Sequence, residues 1–198
     1  MKDKIIIKAG ELFLKLGFKS VTMDDIANEL GISKKTLYKY FNNKHSLVEE
    51  TTSTLHESCL ASVNMISERG YNAIEENFEI KKMFKEMFQN SPSSPIYQLK
   101  KYYPQVHQKT MEKEIVLFSE CLKKNIEKGI KDGYYRKDTN VDLATQFYFS
   151  LVFSVHENTI ENYKIPKLEQ EVLVYHTRAI ATEKGLQELN NQLKINQL

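Results

Sequence analysis

Glycine and proline are scarce in this sequence, and tryptophan is absent. The 198 residues include seven glycines and four prolines, while 41% of the chain is hydrophobic. A β-sandwich or β-barrel of this length would need many more turn residues to connect its strands. The apolar fraction is large enough to bury a core, and the net charge of +2 is too small for a disordered chain. The composition therefore predicts an all-α protein.

Cysteine is also rare, since only Cys59 and Cys121 occur and no CxxC pair exists. This excludes a dense disulfide framework and favours a reducing, cytoplasmic location. His56 and Cys59 share one helix face by their spacing, but no second pair completes a ligand set, so no metal is expected. No stretch has the length of a membrane span, and the N-terminus turns polar too early for a signal peptide.

Motifs of the common enzyme classes are missing as well. The sequence has no GxSxG elbow, P-loop, GxGxxG loop or HExxH helix. This favours a binding protein without a cofactor, although an enzyme with other motifs stays open as an alternative.

Helical periodicity runs through the whole chain. The pattern predicts helices over residues 5–16, 23–30, 34–41, 44–68, 72–89, 95–102, 141–162 and 168–190, with a further helix, the seventh in chain order, that starts near Pro104. In the first helix, Ile5, Ala9, Leu12 and Leu16 share one face. Gly129 and Gly133 are expected to end the seventh helix, Pro166 to separate the last two, and residues 91–95 to form a loop. The short helices before residue 46 and the longer ones after it predict two domains, 1–46 and 47–198.

Residues 22–44, TMDDIANELGISKKTLYKYFNNK, have the spacing of a helix-turn-helix. Ala27 is small where two short helices would touch, and Gly31 suits the tight turn between them. Apolar residues at packing spacing are Ile26, Leu30, Ile32, Leu37 and Phe41. The third helix then exposes cations, hydroxyls and phenols, which suit phosphate oxygens and base edges: Lys34, Lys35, Thr36, Tyr38, Lys39 and Tyr40. Lys44, at the start of the fourth helix, adds a candidate phosphate contact.

Charge supports this interpretation. From residue 31 to residue 45 there are four lysines and no acidic residue, whereas the flanking stretches are mixed in sign. A local basic segment in a near-neutral protein is typical of a small DNA-facing surface. A helical hairpin whose lysines are only solvated remains the alternative.

Residues 6–48 resemble the DNA-binding domain of the TetR family of bacterial regulators. The matching positions are Ala9, Phe13, Gly17, Thr22, Ile26-Ala27, Leu30-Gly31-Ile32-Ser33, Thr36-Leu37-Tyr38, Tyr40-Phe41, Lys44 and Leu47. Residues 175–185 also look like the final helix of one subgroup. The resemblance adds Thr22 to the DNA contacts, so that the candidate set is Thr22, Ser33, Lys34, Lys35, Thr36, Tyr38, Lys39, Tyr40 and Lys44. Lys35 departs from the family pattern, where a small residue such as Gly or Pro is common.

The resemblance implies a homodimer that binds a near-palindromic operator, with one recognition helix per half-site. It assigns the last two helices to a four-helix dimer interface. Residues 143–155, LATQFYFSLVFSV, are apolar nearly all round. Leu143, Phe147, Leu151 and Val155 are expected to face the core of their own domain. The candidate interface residues point elsewhere or lie on the last helix: Tyr148, Val152, Leu168, Val172, Tyr175 and Ala179. Packing within a monomer is the alternative.

A ligand pocket is expected among the helices of residues 50–165. Its candidate lining is rich in methionine and phenylalanine: Met83, Phe84, Met87, Phe88, Phe118, Cys121, Phe147 and Phe149. Such a lining indicates an apolar or aromatic ligand, and ordinary core packing is the alternative. The function predicted is a ligand-responsive transcriptional regulator, expected to be a repressor. Its partners would be an operator in double-stranded DNA, a second copy of itself and an unidentified effector, without a membrane. A nucleoid-type structural protein and an enzyme remain competing functions.

Overall fold

The structure, a computed structural model, describes residues 1–88, 95–157 and 165–196. Within these ranges the chain forms ten helices, and its only β-type pairing is an isolated bridge between Tyr135 and Ala181. The helices are α1 (Lys2–Leu16), α2 (Met23–Glu29), α3 (Lys34–Tyr38), α4 (Lys44–Ser67), α5 (Ala73–Phe88), α6 (Pro95–Tyr102), α7 (Pro104–Lys131), α8 (Val141–Glu157), α9 (Ile165–Ile180) and α10 (Glu183–Ile195). The predicted all-α class is confirmed. Most of the predicted loop at 91–95, and the predicted helical residues 89 and 158–162, lie outside the described residues.

Internal packing divides the chain into two compact units. The first comprises Met1–Cys59 and Met87–Lys113, and the second comprises Leu60–Glu86 and Glu114–Leu198. The division of function at residue 46 stays a prediction. No helix in the described ranges is long and apolar enough to cross a membrane.

The core of the first unit forms around α1. Ile5, Ala9 and Phe13 are fully buried, and the ring of Phe13 stacks on that of Phe18 with their centroids 5.1 Å apart. The prediction that Leu16 lies on the same buried face is wrong, because 49% of its surface is exposed. Leu16 is the last residue of α1, and Gly17 follows it as the C-cap with a φ of 90°.

The core of the second unit includes a paired buried carboxylate. The side chain of Glu76 is almost completely buried, and its Oε2 lies 2.8 Å from the Nζ of Lys128. The Nδ2 of Asn125 donates to Oε1 of Glu76 at 2.9 Å, and the hydroxyl of Ser67 donates to the same oxygen at 3.1 Å. These partners satisfy a charge that would otherwise be costly to bury.

Of the two glycines predicted to end the seventh helix, Gly129 lies inside it and only Gly133 follows its end. The helix continues to Lys131, and Gly133 follows it with a φ of 77°. A Cβ at Gly129 would lie 2.2 Å from Cδ2 of Tyr135. Position 129 therefore has no side chain because the buried Tyr135 ring occupies that space, and not because the helix stops there.

The predicted last helix, 168–190, is also wrong, because the structure contains two helices. The first of them begins at Ile165, so Pro166 lies in its first turn and does not precede it. It ends at Ile180, and Thr182 caps the next helix by accepting a hydrogen bond from the amide of Gly185 at 3.1 Å. The amide of Thr182 donates to the carbonyl of Tyr134 at 2.9 Å. This long-range hydrogen bond stabilises the break between α9 and α10, and the helical periodicity of the segment conceals it.

Helix α8 turns a different face inward from the one predicted. Leu143, Phe147 and Leu151, expected in the core, are 47%, 61% and 39% exposed. Val155 is buried as predicted. The inward face instead centres on Ala144, whose small side chain lets α9 approach: the ring Nε2 of His176 lies 3.0 Å from the Ala144 carbonyl oxygen.

Candidate DNA-binding surface

Helices α1, α2 and α3 share one core, which holds α3 in place. Ile26 and Ala27 of α2, Leu37 of α3 and Phe41 beyond it are all buried. These are among the residues whose spacing indicates a helix-turn-helix, and the structure packs them with the buried residues of α1. Because Leu37 points inward, its neighbours on the other faces of α3 are turned to solvent.

The turn between α2 and α3 has a Schellman geometry at Gly31. The amide of Ile32 donates to the carbonyl of Ala27 at 3.0 Å, and the amide of Gly31 donates to that of Asn28 at 3.0 Å. Gly31 has a φ of 64°, in the left-handed region that suits a residue without a Cβ. The backbone therefore turns sharply here and directs the chain into α3.

We expect Gly31→Ala to destabilise the first unit by about 1–2 kcal/mol, because a Cβ strains the left-handed backbone. A Cβ at this position would meet no neighbouring atom within 4 Å, so strain is the only cause. The measurement is the urea midpoint of unfolding. Gly70→Ala is the matched control, since Gly70 has a φ of 78° and equally open surroundings but lies between α4 and α5. Both should lose stability, and only Gly31→Ala should also weaken DNA binding; an unchanged midpoint for Gly31→Ala would refute the strain argument.

Ser33 begins α3 as its N-cap. Its hydroxyl oxygen accepts a hydrogen bond from the amide of Thr36 at 3.1 Å, and the Ser33 and Thr36 hydroxyl oxygens are hydrogen-bonded at 2.9 Å. This arrangement satisfies a free amide of the first turn. Helix α3 ends at Tyr38, so the predicted extent of 34–41 is too long; residues 39 and 40 continue as a turn in which the Tyr40 amide donates to the Leu37 carbonyl at 3.0 Å.

The outer face of α3 is basic and aromatic. Tyr38 and Tyr40 are 46% and 42% exposed, and Lys35 and Lys39 are exposed beside them. Lys34 is exposed too, but its Nζ forms an ion pair with Asp24 of α2. The structure thus separates the predicted lysines into one with a carboxylate partner and two that present their charges outward.

Thr22 and Lys44 have contacts within the protein. The Thr22 hydroxyl accepts from the Asp25 amide at 3.1 Å, and the Thr22 amide donates to the Asp25 carboxylate at 2.8 Å, which forms a capping box at the start of α2. Hydrogen bonds from the Thr22 hydroxyl and amide lower the pKa of Asp25. The Nζ of Lys44 donates to the Lys19 carbonyl at 3.1 Å, and burial lowers the pKa of Lys44. These two residues therefore stabilise the edges of the surface as well as being candidate contacts.

Helix α6 packs in the first unit together with the helix-turn-helix. The sequence gives no sign of this association. The Phe18 amide, in the turn after α1, donates to Oε1 of Gln98 at 2.8 Å, and both residues are buried. A Cβ at Gly17 would lie 2.8 Å from the same oxygen. The contact joins positions 80 residues apart, so no local pattern in the sequence could indicate it. Its consequence is that α6 stabilises the turn that precedes the helix-turn-helix.

The structure brings together only some of the predicted pocket residues. The rings of Phe84 and Phe118 meet edge to face at 6.1 Å. Met87 instead contacts Cys59, which is not in the predicted lining, with their sulfur atoms 3.4 Å apart. Phe147 is 61% exposed, because its face of α8 points to solvent. The remaining pocket assignments stay predictions. Among the described residues no three His, Cys, Asp or Glu side chains form a group that could hold a metal.

Some of the predicted interface residues are exposed, and others are half-buried. Tyr175 is 69% exposed and Ala179 is exposed beside it, while Val152, Leu168 and Val172 are half-buried. Tyr148 is half-buried as well. Its ring lies 4.9 Å from that of His176, and burial raises the pKa of Tyr148 to about 12.

Comparison with known proteins agrees with this geometry. The family model "Bacterial regulatory proteins, tetR family" matches residues 5–51. The Staphylococcus aureus (strain Newman) protein named "Biofilm operon icaADBC HTH-type negative transcriptional regulator IcaR" is 34% identical over 89 residues. That match spans 45% of each chain, so it covers about half the length of this relative. The Staphylococcus epidermidis protein of the same name is 39% identical over 51 residues, which are 26% of this chain and 28% of that one.

Two solved structures share the fold over nearly the whole chain. A transcriptional regulator from Cytophaga hutchinsonii has a TM-score of 0.73 at 21% identity, covering 90% of this chain and 97% of that one. A TetR-family regulator from Agrobacterium tumefaciens has a TM-score of 0.72 at 15% identity, covering 91% and 97%. The sequence match therefore covers the helix-turn-helix region, and the fold is shared over nearly the whole chain.

Proposed function

We propose that the chain is a ligand-responsive transcriptional repressor. It would bind a near-palindromic operator as a homodimer and be released by a small apolar or aromatic effector. The observation that carries the proposal is the outer face of α3, where Lys35, Tyr38 and Lys39 are exposed in a stretch without any acidic residue. Cations and phenols at a helix surface suit the phosphates and base edges of a major groove. The similarity to TetR-family proteins favours a regulator over the enzyme alternative, because the matched relatives are named transcription regulators.

Repression is the proposed sign of regulation. The Staphylococcus relatives are named negative transcriptional regulators, and the match to them includes the helix-turn-helix. A repressor acts by occupying its operator, so this sign requires tight binding in the absence of effector.

The exposed apolar face of α8 and α9 supports the proposed homodimer. Leu143, Phe147 and Leu151 lie on one side of α8, and Tyr175 of the packed helix α9 is exposed as well. Exposed apolar side chains gathered on two packed helices are typical of an interface between subunits. A two-fold symmetric dimer matches a palindromic operator, because each half-site then receives one α3.

Effector release would operate through α4. This helix is continuous from Lys44 to Ser67, so it begins at the helix-turn-helix and extends into the second unit. We propose that an apolar or aromatic effector binds among the methionine and phenylalanine side chains, such as Phe84 and Phe118. It would shift the population toward a spacing of the two α3 helices that no longer fits one turn of DNA. The effector can release DNA only to the extent that it prefers that second state.

Selection from a random duplex pool tests the DNA-binding part of the proposal. Purified full-length protein is incubated with the pool at about 0.15 M salt, where nonspecific phosphate binding is weak. We expect an inverted repeat, whose half-site spacing reports the distance between the two recognition helices. Recovery of a single half-site would overturn the dimer, and binding without any sequence preference would favour the nucleoid-type alternative.

A further inference from the structure

The second unit contains a cleft between α5, α9 and the end of α10. Its volume is about 290 Å³, near the lower limit of small-molecule sites. Four lysines, one phenylalanine and one glutamate form most of its wall: Lys81, Lys82, Lys85, Lys167, Phe78 and Glu169. None of these belongs to the methionine and phenylalanine set considered above as an effector pocket.

The cleft carries an excess of positive charge. Lys81, Lys82 and Lys85 lie on consecutive turns of α5, and Lys167 extends the group from α9. The single lining carboxylate, Glu169, is already in contact with another group, since its Oε1 lies 2.7 Å from the Nε2 of His156. The cleft has four ammonium groups, and its one carboxylate already contacts His156. The excess of positive charge therefore attracts an anion.

Lys81 shows that the protein itself compensates this charge incompletely. Burial, reinforced by the charge of Lys85, lowers the pKa of Lys81 to about 8, although Glu169 and Glu171 on α9 oppose the shift. Asn196, the residue after α10, lines the cleft with an uncharged amide side chain. A bound anion would supply a counter-charge and raise the pKa of Lys81 again.

The cleft also has an apolar wall. Pro166 of α9 is exposed and lines the cleft together with the lysines of α5. Lysine side chains add their methylene stems to such a surface while directing the ammonium groups outward. An inorganic ion would leave this wall uncovered, whereas an organic molecule would cover it.

We propose that this cleft binds a small organic anion, with a phosphate or carboxylate held by the lysines of α5 and α9 and an apolar body against Pro166 and the lysine methylene stems. The proposal goes beyond DNA binding and does not depend on it. Its failure would leave operator binding unaffected, and loss of operator binding would leave this site untouched.

Calorimetric titration of the unliganded full-length protein at pH 7, without DNA, tests the site. Three ligands of similar size serve as probes: phenyl phosphate, benzoate and the uncharged phenol. We expect at least one of the two anions to bind at least about tenfold more tightly than phenol, and the stronger anion identifies the acidic group preferred. Equal binding of phenol and both anions, or no binding of any probe at millimolar concentration, would overturn the proposal.

Two double variants locate the binding. Lys81→Gln with Lys85→Gln should weaken the preferred anion at least about tenfold. The matched control, Lys131→Gln with Lys137→Gln, removes the same charge from exposed positions outside the cleft and should leave the affinity within about twofold. Equal losses in both double variants would show a general charge effect. Loss of duplex DNA binding without loss of anion binding in the cleft variant would assign the lysines to nucleic acid and overturn the proposal.

The pH dependence is a further readout. Because the pKa of Lys81 is about 8 in the folded protein, its charge is lost as the pH rises from 7 to 9.5. Anion affinity should fall severalfold over that range, with proton uptake on binding above pH 8. The Lys81→Gln variant should lose this fall, and a pH dependence that survives the substitution would contradict the role of Lys81.

Discussion

Replacing Lys35 and Lys39 together by alanine is expected to weaken binding to the selected operator about 100-fold. Both side chains are exposed on or beside α3, and both would lose a phosphate or base contact worth about 1–3 kcal/mol. If both contact phosphates, the slope of log affinity against log salt should also decrease by about 1.8. Fluorescence anisotropy with labelled operator at several salt concentrations gives both quantities.

Two further variants make this prediction specific to the outer face of α3. The double variant Lys131→Ala with Lys137→Ala removes the same charge from exposed positions of the second unit and should retain full affinity. Lys34→Ala should have a smaller effect than either Lys35→Ala or Lys39→Ala, because the Lys34 charge is already paired with Asp24. Operator affinity that falls equally in the α3 and control double variants would exclude α3 as the reading helix.

The sequence was sufficient to predict the helix-turn-helix because the constraints there are local. A capping box needs only Thr22 and Asp25, three residues apart, and a left-handed turn needs only Gly31. The buried set of Ile26, Ala27 and Leu37 follows from helical spacing. Each of these signals lies within one or two helical turns, where periodicity and capping preferences act directly.

The prediction failed where distant residues decide the outcome. Gly129 lies within a helix because Tyr135 folds back over it, and the break before α10 depends on the carbonyl of Tyr134. Gln98 reaches the Phe18 amide across 80 residues of chain. No local preference of these residues reveals which partner they meet, so spacing alone could not predict them.

Helix α8 shows why a uniformly apolar segment is ambiguous. Every face of LATQFYFSLVFSV is apolar enough to be buried, so periodicity does not choose among them. The choice is made by shape, because Ala144 lets the His176 ring approach the α8 backbone, whereas Phe147 on the other side points to solvent. The face expected inside is therefore the one available to a second subunit.

Phe147→Glu should convert the dimer to a monomer. A carboxylate at the proposed two-fold interface would be desolvated and would face its symmetry copy, so the dimer dissociation constant should rise at least about 100-fold. Sedimentation analysis over a range of protein concentrations measures this constant. Since 61% of Phe147 is exposed within its own chain, the substitution leaves the core of the unit intact.

Val116→Glu is the matched control, because Val116 is also 61% exposed but lies on α7. It should remain dimeric and keep its affinity for the inverted repeat, whereas Phe147→Glu should bind only weakly, as a monomer on one half-site. The loss is large because a palindrome bound by a dimer combines two half-sites in a single event. A dimeric Phe147→Glu together with a monomeric Val116→Glu would move the interface from α8 to α7, and two dimeric variants would exclude both helices.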